Sequence, residues 1–396
     1  MAGSPVLRPA EGPSLSGFAG LQTLVFALVA AAFATVYITQ PVLPVLQQEF
    51  GVSPAVASLT VSGVILGIAL ANLPFGMLAD RYPVRLLILS GGTVVALCGF
   101  YCAATASLEL LVAARFLQGL FIPALTTCLA AYLSRTLPLE KLNVVMGSYV
   151  SATVAGGLSG RLLGGWIHPP LHWRYAFVTA SLLLLAASAA ALRGLPPEDR
   201  LPRGGAETGS FRDLLSQPGL RRLFLVPFGG FFVFSSIFNY LPFYLSRPPF
   251  NASTQVITLL YLSYLLGIFT GPLAGNLSNR LGNGATIILG ALLLALALLL
   301  SLLPAWGTVV GALALVCTGH FAMHAAAAGA LNRKLTAGRG RANSLYVLAY
   351  YLGGAAGITL SGQAYALAGW PGLAALGFLV LALPAAVGLR ERRQGG

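Results

Sequence analysis

Two histidines, His320 and His324, stand four residues apart in an apolar run, so on a helix they share one face. Imidazole titrates near neutral pH, and such a pair could carry a coupling proton or hold a polar group of a substrate. Packing as neutral, hydrogen-bonded rings is the other use. No carboxylate stands beside them to complete a metal site, and no metal is implied. Arg115 and Arg161 interrupt two further apolar runs. A charge at mid-membrane costs about 2.5–3.5 kcal/mol on insertion scales, so such arginines face a cavity or a partner. The ten carboxylates avoid the middle of every long apolar run. If a proton is carried, the candidates for it are Glu109, Asp80 or a histidine. No Ser/His/Asp pattern suits nucleophilic catalysis, and neither Lys141 nor Lys334 follows a glycine, so there is no P-loop. The chain reads as neither an enzyme nor an ATP-driven pump, and no cofactor is implied.

The elements that hold these residues follow from composition. Only 8% of the 396 residues are charged while 57% are hydrophobic, and mean hydropathy is +0.82. A soluble fold could not cover that much apolar surface with so few charges. The expected fold class is an all-α, multi-pass membrane protein. With spans of about 20 apolar residues, twelve are predicted near 21–46, 54–78, 85–105, 108–133, 143–166, 174–192, 222–246, 255–277, 284–303, 306–331, 343–367 and 371–389. The expected organisation is a segment 1–20, a six-helix bundle 21–192, a central loop 193–221, a second six-helix bundle 222–389 and a tail 390–396. Residues 1–20 carry no signal-peptide pattern. Residues 210–223 either lie along the membrane surface or form a solvated linker with one helical turn. The four cysteines all fall inside apolar runs and read as packing residues.

The net charge of +13 would suggest nucleic acid in a soluble protein. Here the basic residues sort by side instead. With the N-terminus cytoplasmic, the outer loops keep only Arg174 and Arg247, and Arg115 and Arg161 lie within spans. That asymmetry predicts an N-in, C-in topology in the plasma membrane and needs no nucleic-acid partner. His168 and His172, beside prolines in an outer loop, read as ordinary loop residues.

The halves echo each other about 200 residues apart. Gly76, Asp80 and Arg81 correspond to Gly275, Asn279 and Arg280. Gly156, Gly160 and Gly164 correspond to Gly353, Gly357 and Ser361, a small residue at every fourth position, which makes a smooth face for close helix contact. The run Gly76-Met-Leu-Ala-Asp80-Arg81-Tyr-Pro-Val-Arg85 resembles the loop 2–3 signature of the major facilitator superfamily. Arg115-Phe-Leu-Gln118-Gly119 is similar to its span 4 signature. Gly156-Gly-Leu-Ser-Gly160-Arg-Leu-Leu-Gly164-Gly165 resembles the span 5 motif of its 12-helix drug:proton antiporter branch.

The resemblance implies two pseudo-symmetric bundles working by alternating access as a monomer, a small-molecule substrate within a lipid bilayer, and efflux of drug-like compounds by proton antiport. It implies a gate at Gly76, Asp80, Arg81 and Arg85, with Asp80 meeting the start of span 11 near Arg341 to Ser344 when the halves close there. It associates Arg115 with coupling or substrate contact. Arg161 is the departure, because it stands in place of the motif's proline and adds a cation. It could be a functional charge, or a staple tied to Glu109 or to helix-end carbonyls. Expected cavity residues are Tyr37, Gln40, Gln118, Asn239, Tyr240, Tyr264 and Tyr350, while Tyr244 and Tyr346 suit interfacial anchoring. A second reading of the function, motivated by Arg115, Arg161 and the histidines, is transport of an anionic or amphipathic metabolite without a carboxylate on span 1.

Overall fold

A computed structural model describes residues 15–196, 211–335 and 338–394. Residues 197–210 of the central loop, including Pro197 and Gly204-Gly205, lie outside the described residues. Its second part forms the short helix Phe211–Ser216. Ten helical runs among the described residues are long and apolar enough to cross a bilayer.

The helices in chain order are α1 (Leu15–Val36), α2 (Leu43–Phe50), α3 (Pro54–Ala57), α4 (Leu59–Ala79), α5 (Val84–Ala104), α6 (Leu108–Leu125), α7 (Thr127–Thr136), α8 (Leu139–Ile167) and α9 (Arg174–Gly194). They continue as α10 (Phe211–Ser216), α11 (Pro218–Leu245), α12 (Thr254–Leu260), α13 (Leu266–Leu281), α14 (Asn283–Ser301), α15 (Trp306–Arg333) and α16 (Arg339–Gln394). α16 is broken at Ala368 and Gly369, where the backbone leaves helical geometry.

The first predicted span, read as one helix, is in fact interrupted. α1 stops at Val36, and a 3-10 turn at Gln40–Val42 leads into α2. Pro41 and Pro44 explain the break: each lacks a backbone donor, and each disfavours helical geometry in the residue before it. The eighth span is likewise divided by a 3-10 turn at Tyr261–Leu265. Both breaks matter below, because they turn Tyr37, Gln40, Tyr261 and Tyr264 toward one another.

The glycine rows work as close-contact faces. A Cβ on Gly156, Gly160 or Gly164 of α8 would strike the carbonyl oxygens of Ala30, Ala34 and Ile38 respectively. On α16, Gly353 and Gly357 lie equally close to the carbonyls of Phe228 and Phe232 on α11. The third position is a serine, and Ser361 donates a hydrogen bond of 2.8 Å to Ser236. The two halves thus repeat one helix crossing in one register, which is the packing that small residues permit in lipid. Gly160→Leu is expected to force α1 and α8 apart. We expect a loss of at least about 1–3 kcal/mol, the usual cost of overpacking, read as a lower thermal midpoint in detergent. Gly147→Ala on the same helix meets nothing within 4 Å and should leave the midpoint unchanged.

Candidate functional site

The halves join at one end of the molecule. There Gly165 of α8 abuts Thr258 of α12, and Ala55 of α3 abuts Gly362 of α16. Asn239 of α11 donates 2.7 Å to Ser58, just before α4. At the opposite end two ion pairs each stay inside a half. Asp80 pairs with Arg135 at 2.9 Å, and Lys334 pairs with Glu391 at 2.7 Å. Arg333 donates 2.9 Å to Asn279.

Arg161 lies in the seam between the halves and is 1% exposed. Its Nε donates 2.6 Å to the Gln40 side-chain oxygen. One terminal nitrogen donates 2.7 Å to the Gly157 carbonyl, and the other donates 2.7 Å to the Tyr264 hydroxyl. The guanidinium carbon sits 3.9 Å from the Tyr37 ring centre, 4.2 Å from Tyr264 and 5.3 Å from Tyr261. Aromatic faces and neutral oxygens hold this cation, and among the described residues no carboxylate is bonded to it, which leaves it without a counter-ion for a further partner to supply. Two of those rings and one hydroxyl belong to the other half of the chain, so this contact can exist only when the halves are joined here. Glu109 is not a partner. It lies at the start of α6, where Ser107 donates to it at 2.8 Å.

Arg115 is equally buried but sits inside the first half. It donates to the carbonyls of Thr60 at 2.9 Å and Thr35 at 2.6 Å, to Val36, and to Gln118 at 2.7 Å. Gln118 in turn donates 2.9 Å to the Val95 carbonyl. Thr35 and Val36 are the last residues of α1, where carbonyls lack helical partners. In lipid such orphan groups cost several kcal/mol each. The guanidinium therefore caps a helix end inside the membrane, and the negative end of α1 supplies the counter-charge that no carboxylate provides.

The histidines form part of an aromatic stack in the second half. His320, 2% exposed, stacks on Phe234 with centres 4.2 Å apart, and its neighbour His324 lies 6.1 Å away. Tyr350 stacks on Phe231 at 3.9 Å and meets the His324 ring edge-on at 5.2 Å. The Tyr346 hydroxyl lies 3.1 Å from His324 Nδ1. Tyr346, expected as an interfacial anchor, is instead buried against this pair. Among the described residues no side-chain or backbone group meets the His320 Nδ1 atom with hydrogen-bond geometry. Phe231 and Phe234 carry no sequence signal beyond their apolar character. The spacing of Tyr346 and Tyr350, which matches that of the histidines, is the one clue the chain offers.

The remaining expected residues are dispersed. Tyr240 is fully buried and donates 2.9 Å to the Ile358 carbonyl within its own half. Tyr244 stacks on Trp370 at 4.4 Å. At the Asp80 end, Arg85 donates 2.6 Å to the Leu195 carbonyl, while Arg81 is exposed and Gly76 lies near Thr127. The expected contact of Asp80 with the start of α16 is not formed. Its carboxylate is 74% exposed and bonded to Arg135, because the halves meet at the other end. Near the end of α2, Glu49 accepts from Arg174 at 2.5 Å and from Trp173 at 2.5 Å. Partial burial lowers the pKa of the His168 imidazole, and neighbouring His172 adds to the effect.

Apolar helices built on two repeated crossings thus join at one end around a buried cation. The sequence profile of the Major Facilitator Superfamily matches residues 25–358 and 250–394. The chain belongs to the Major Facilitator Superfamily. It is a multi-pass membrane transporter and not an enzyme. It is 30% identical over 369 residues to the inner membrane transport protein YnfM of Escherichia coli, covering 92% of this chain and 88% of that protein. It is 26% identical to the MFS-type transporter YybF of Bacillus subtilis, covering 88% of each. Among solved structures, the fold superposes with a TM-score of 0.79 on a bacterial homologue of the human lysosomal transporter Spinster, in an inward-facing and unoccupied conformation. That match has 16% identity and covers 96% of this chain and 98% of the other. The nucleoside transporter NupG superposes with a TM-score of 0.74 at 12% identity, covering 94% and 98%. At these identities the structures speak to the fold alone.

Proposed function

We propose that this transporter moves a small anionic or amphipathic organic molecule by alternating access, with Arg161 as the charge that recognises it. The observation that carries the reading is the Arg161 guanidinium, buried in the seam between the halves on aromatic faces and neutral oxygens, with no carboxylate bonded to it among the described residues. A substrate carboxylate or phosphate can replace the Tyr264 hydroxyl and Gln40 oxygen as its partner, and the surrounding tyrosines suit an aromatic body. Binding and release of the seam are then the same event, which is how a ligand favours one state over another.

In this reading the chain crosses the plasma membrane twelve times, N-in and C-in, as two six-helix bundles, 21–192 and 222–389. The break at Ala368 and Gly369 and the long α8 support the count. The joined end is then the outer one. The Asp80 loop, with Arg81, Arg85 and Gly76, closes the inner end in the opposite state, where a carboxylate would favour the N-terminus of α16. The histidine pair is the candidate proton carrier.

Proton-coupled efflux of drug-like compounds, the second reading, rests on the span 5 glycine motif alone. Counterflow into proteoliposomes with matched anionic, neutral and cationic aromatic compounds separates the two. Exchange of anionic members alone is expected. Exchange of cationic members alone, collapsing with the proton gradient, would contradict the anion reading.

A further inference from the structure

At the Asp80 end, on the far side of the second half from the seam residues, the start of α11 and the close of α16 leave an open groove of about 510 Å³. Pro218, Arg221, Arg222, Leu225 and Arg390 line it. Arg221 and Arg390 are exposed and Arg222 is half-buried. The Arg222 Nε donates 2.9 Å to the Pro218 carbonyl, which holds that guanidinium at the groove. Among the described residues no carboxylate pairs with any of the three. The acid next in sequence to Arg390 is Glu391, and Lys334 already holds it at 2.7 Å.

Three guanidinium groups gathered in one groove without a counter-anion repel one another unless an anion joins them. Phosphate is the anion whose geometry the guanidinium fork fits. The apolar part of the groove decides the source. Leu225 lies one turn deeper into α11 and is 40% exposed, and Leu389, beside Arg390, is 49% exposed. Guanidinium groups at the end of a membrane helix, above leucines that face outward, match a headgroup phosphate above an acyl chain.

We propose that this groove binds the headgroup phosphate of an anionic phospholipid between Arg221, Arg222 and Arg390, with an acyl chain lying along Leu225. The bound lipid bridges the first turn of α11 and the last turns of α16. It thereby fixes the two ends of the second half to each other and to one leaflet.

The test uses the full chain, delipidated in a neutral detergent. Phosphatidylglycerol, phosphatidylcholine with the same acyl chains, and inorganic phosphate are titrated separately, with binding read by native mass spectrometry and by the thermal midpoint. Phosphatidylglycerol is expected to bind and to raise the midpoint, and the other two probes are not. The combined Arg221→Ala, Arg222→Ala, Arg390→Ala variant should weaken phosphatidylglycerol binding by at least about tenfold, in line with the usual contribution of each basic residue at an anionic surface. Arg193→Ala, which removes an exposed arginine from the first half, should bind as the unmodified protein does. Equal binding by the triple variant, or an equal loss in Arg193→Ala, would overturn the site. Inorganic phosphate binding as tightly as phosphatidylglycerol would overturn the lipid as its occupant. Should the triple variant fail to fold, the three lysine replacements keep the charge and lose the fork. They are then expected to bind more weakly than the unmodified protein, and equal binding would again overturn the proposal.

Discussion

Arg115→Ala is expected to destabilise the folded protein by about 3–5 kcal/mol, the usual cost of removing one side of a buried charged network. The reason lies in what Arg115 holds. Its three nitrogens serve the carbonyls of Thr35, Val36 and Thr60 and the side chain of Gln118, joining α1, α4 and α6. Alanine leaves these acceptors without donors and opens a void too deep for water to fill freely. The measurement is thermal unfolding of purified protein in detergent, with folded yield as a second readout. Arg115→Lys keeps the charge but not the fork, so it should fall between the two. A midpoint unchanged by Arg115→Ala would remove the helix-capping role assigned to this residue.

Arg161→Ala is expected to leave the fold intact while opening the joined end. Each hydrogen bond to a charged group contributes about 1.5–3 kcal/mol, and a desolvated cation–π contact about 2 kcal/mol. The cost of burying the charge offsets part of this sum. A net loss of about 1.4 kcal/mol already changes the ratio of the two states tenfold. Spin labels on Gln48 and Gln255, exposed residues of the two halves at that end, should show a longer-distance population in the variant. If the proposed gate at Asp80 holds, Asp80→Ala should move the same distribution the other way, by weakening the state closed at the opposite end. Identical distributions for Arg161→Ala and the unmodified chain would mean that Arg161 does not latch the halves.

Much of the fold was legible in the chain, and the reasons are specific. Gly156, Gly160 and Gly164 recur at the helical period, so their shared face and its close neighbour follow from spacing alone. The ranking of the two buried arginines did not follow. Both interrupt apolar runs, and a linear sequence places a residue along a helix without saying what the facing helix offers. The partners of Arg115 are backbone carbonyls exposed by the stop of α1 at Val36, a break hidden inside what reads as one apolar span. Pro41 and Pro44 were its only sign. Arg161 meets Tyr264 across the seam only because α12 and α13 are separated by a 3-10 turn. Asp80 illustrates a different limit. The carboxylate turns to Arg135 in its own half, and a linear motif does not say in which state its contacts form.

In the proposed mechanism the charge of Arg161 recognises the transported molecule. The most direct measurement of that role is the affinity of an anionic compound exchanged in counterflow, compared by calorimetry between the unmodified protein and Arg161→Gln. Glutamine keeps polarity and much of the volume but not the charge. Removing the charged, hydrogen-bonded partner of a buried anion costs about 2–5 kcal/mol, so binding at least tenfold weaker is expected. Equal affinity for the two proteins would contradict recognition by Arg161.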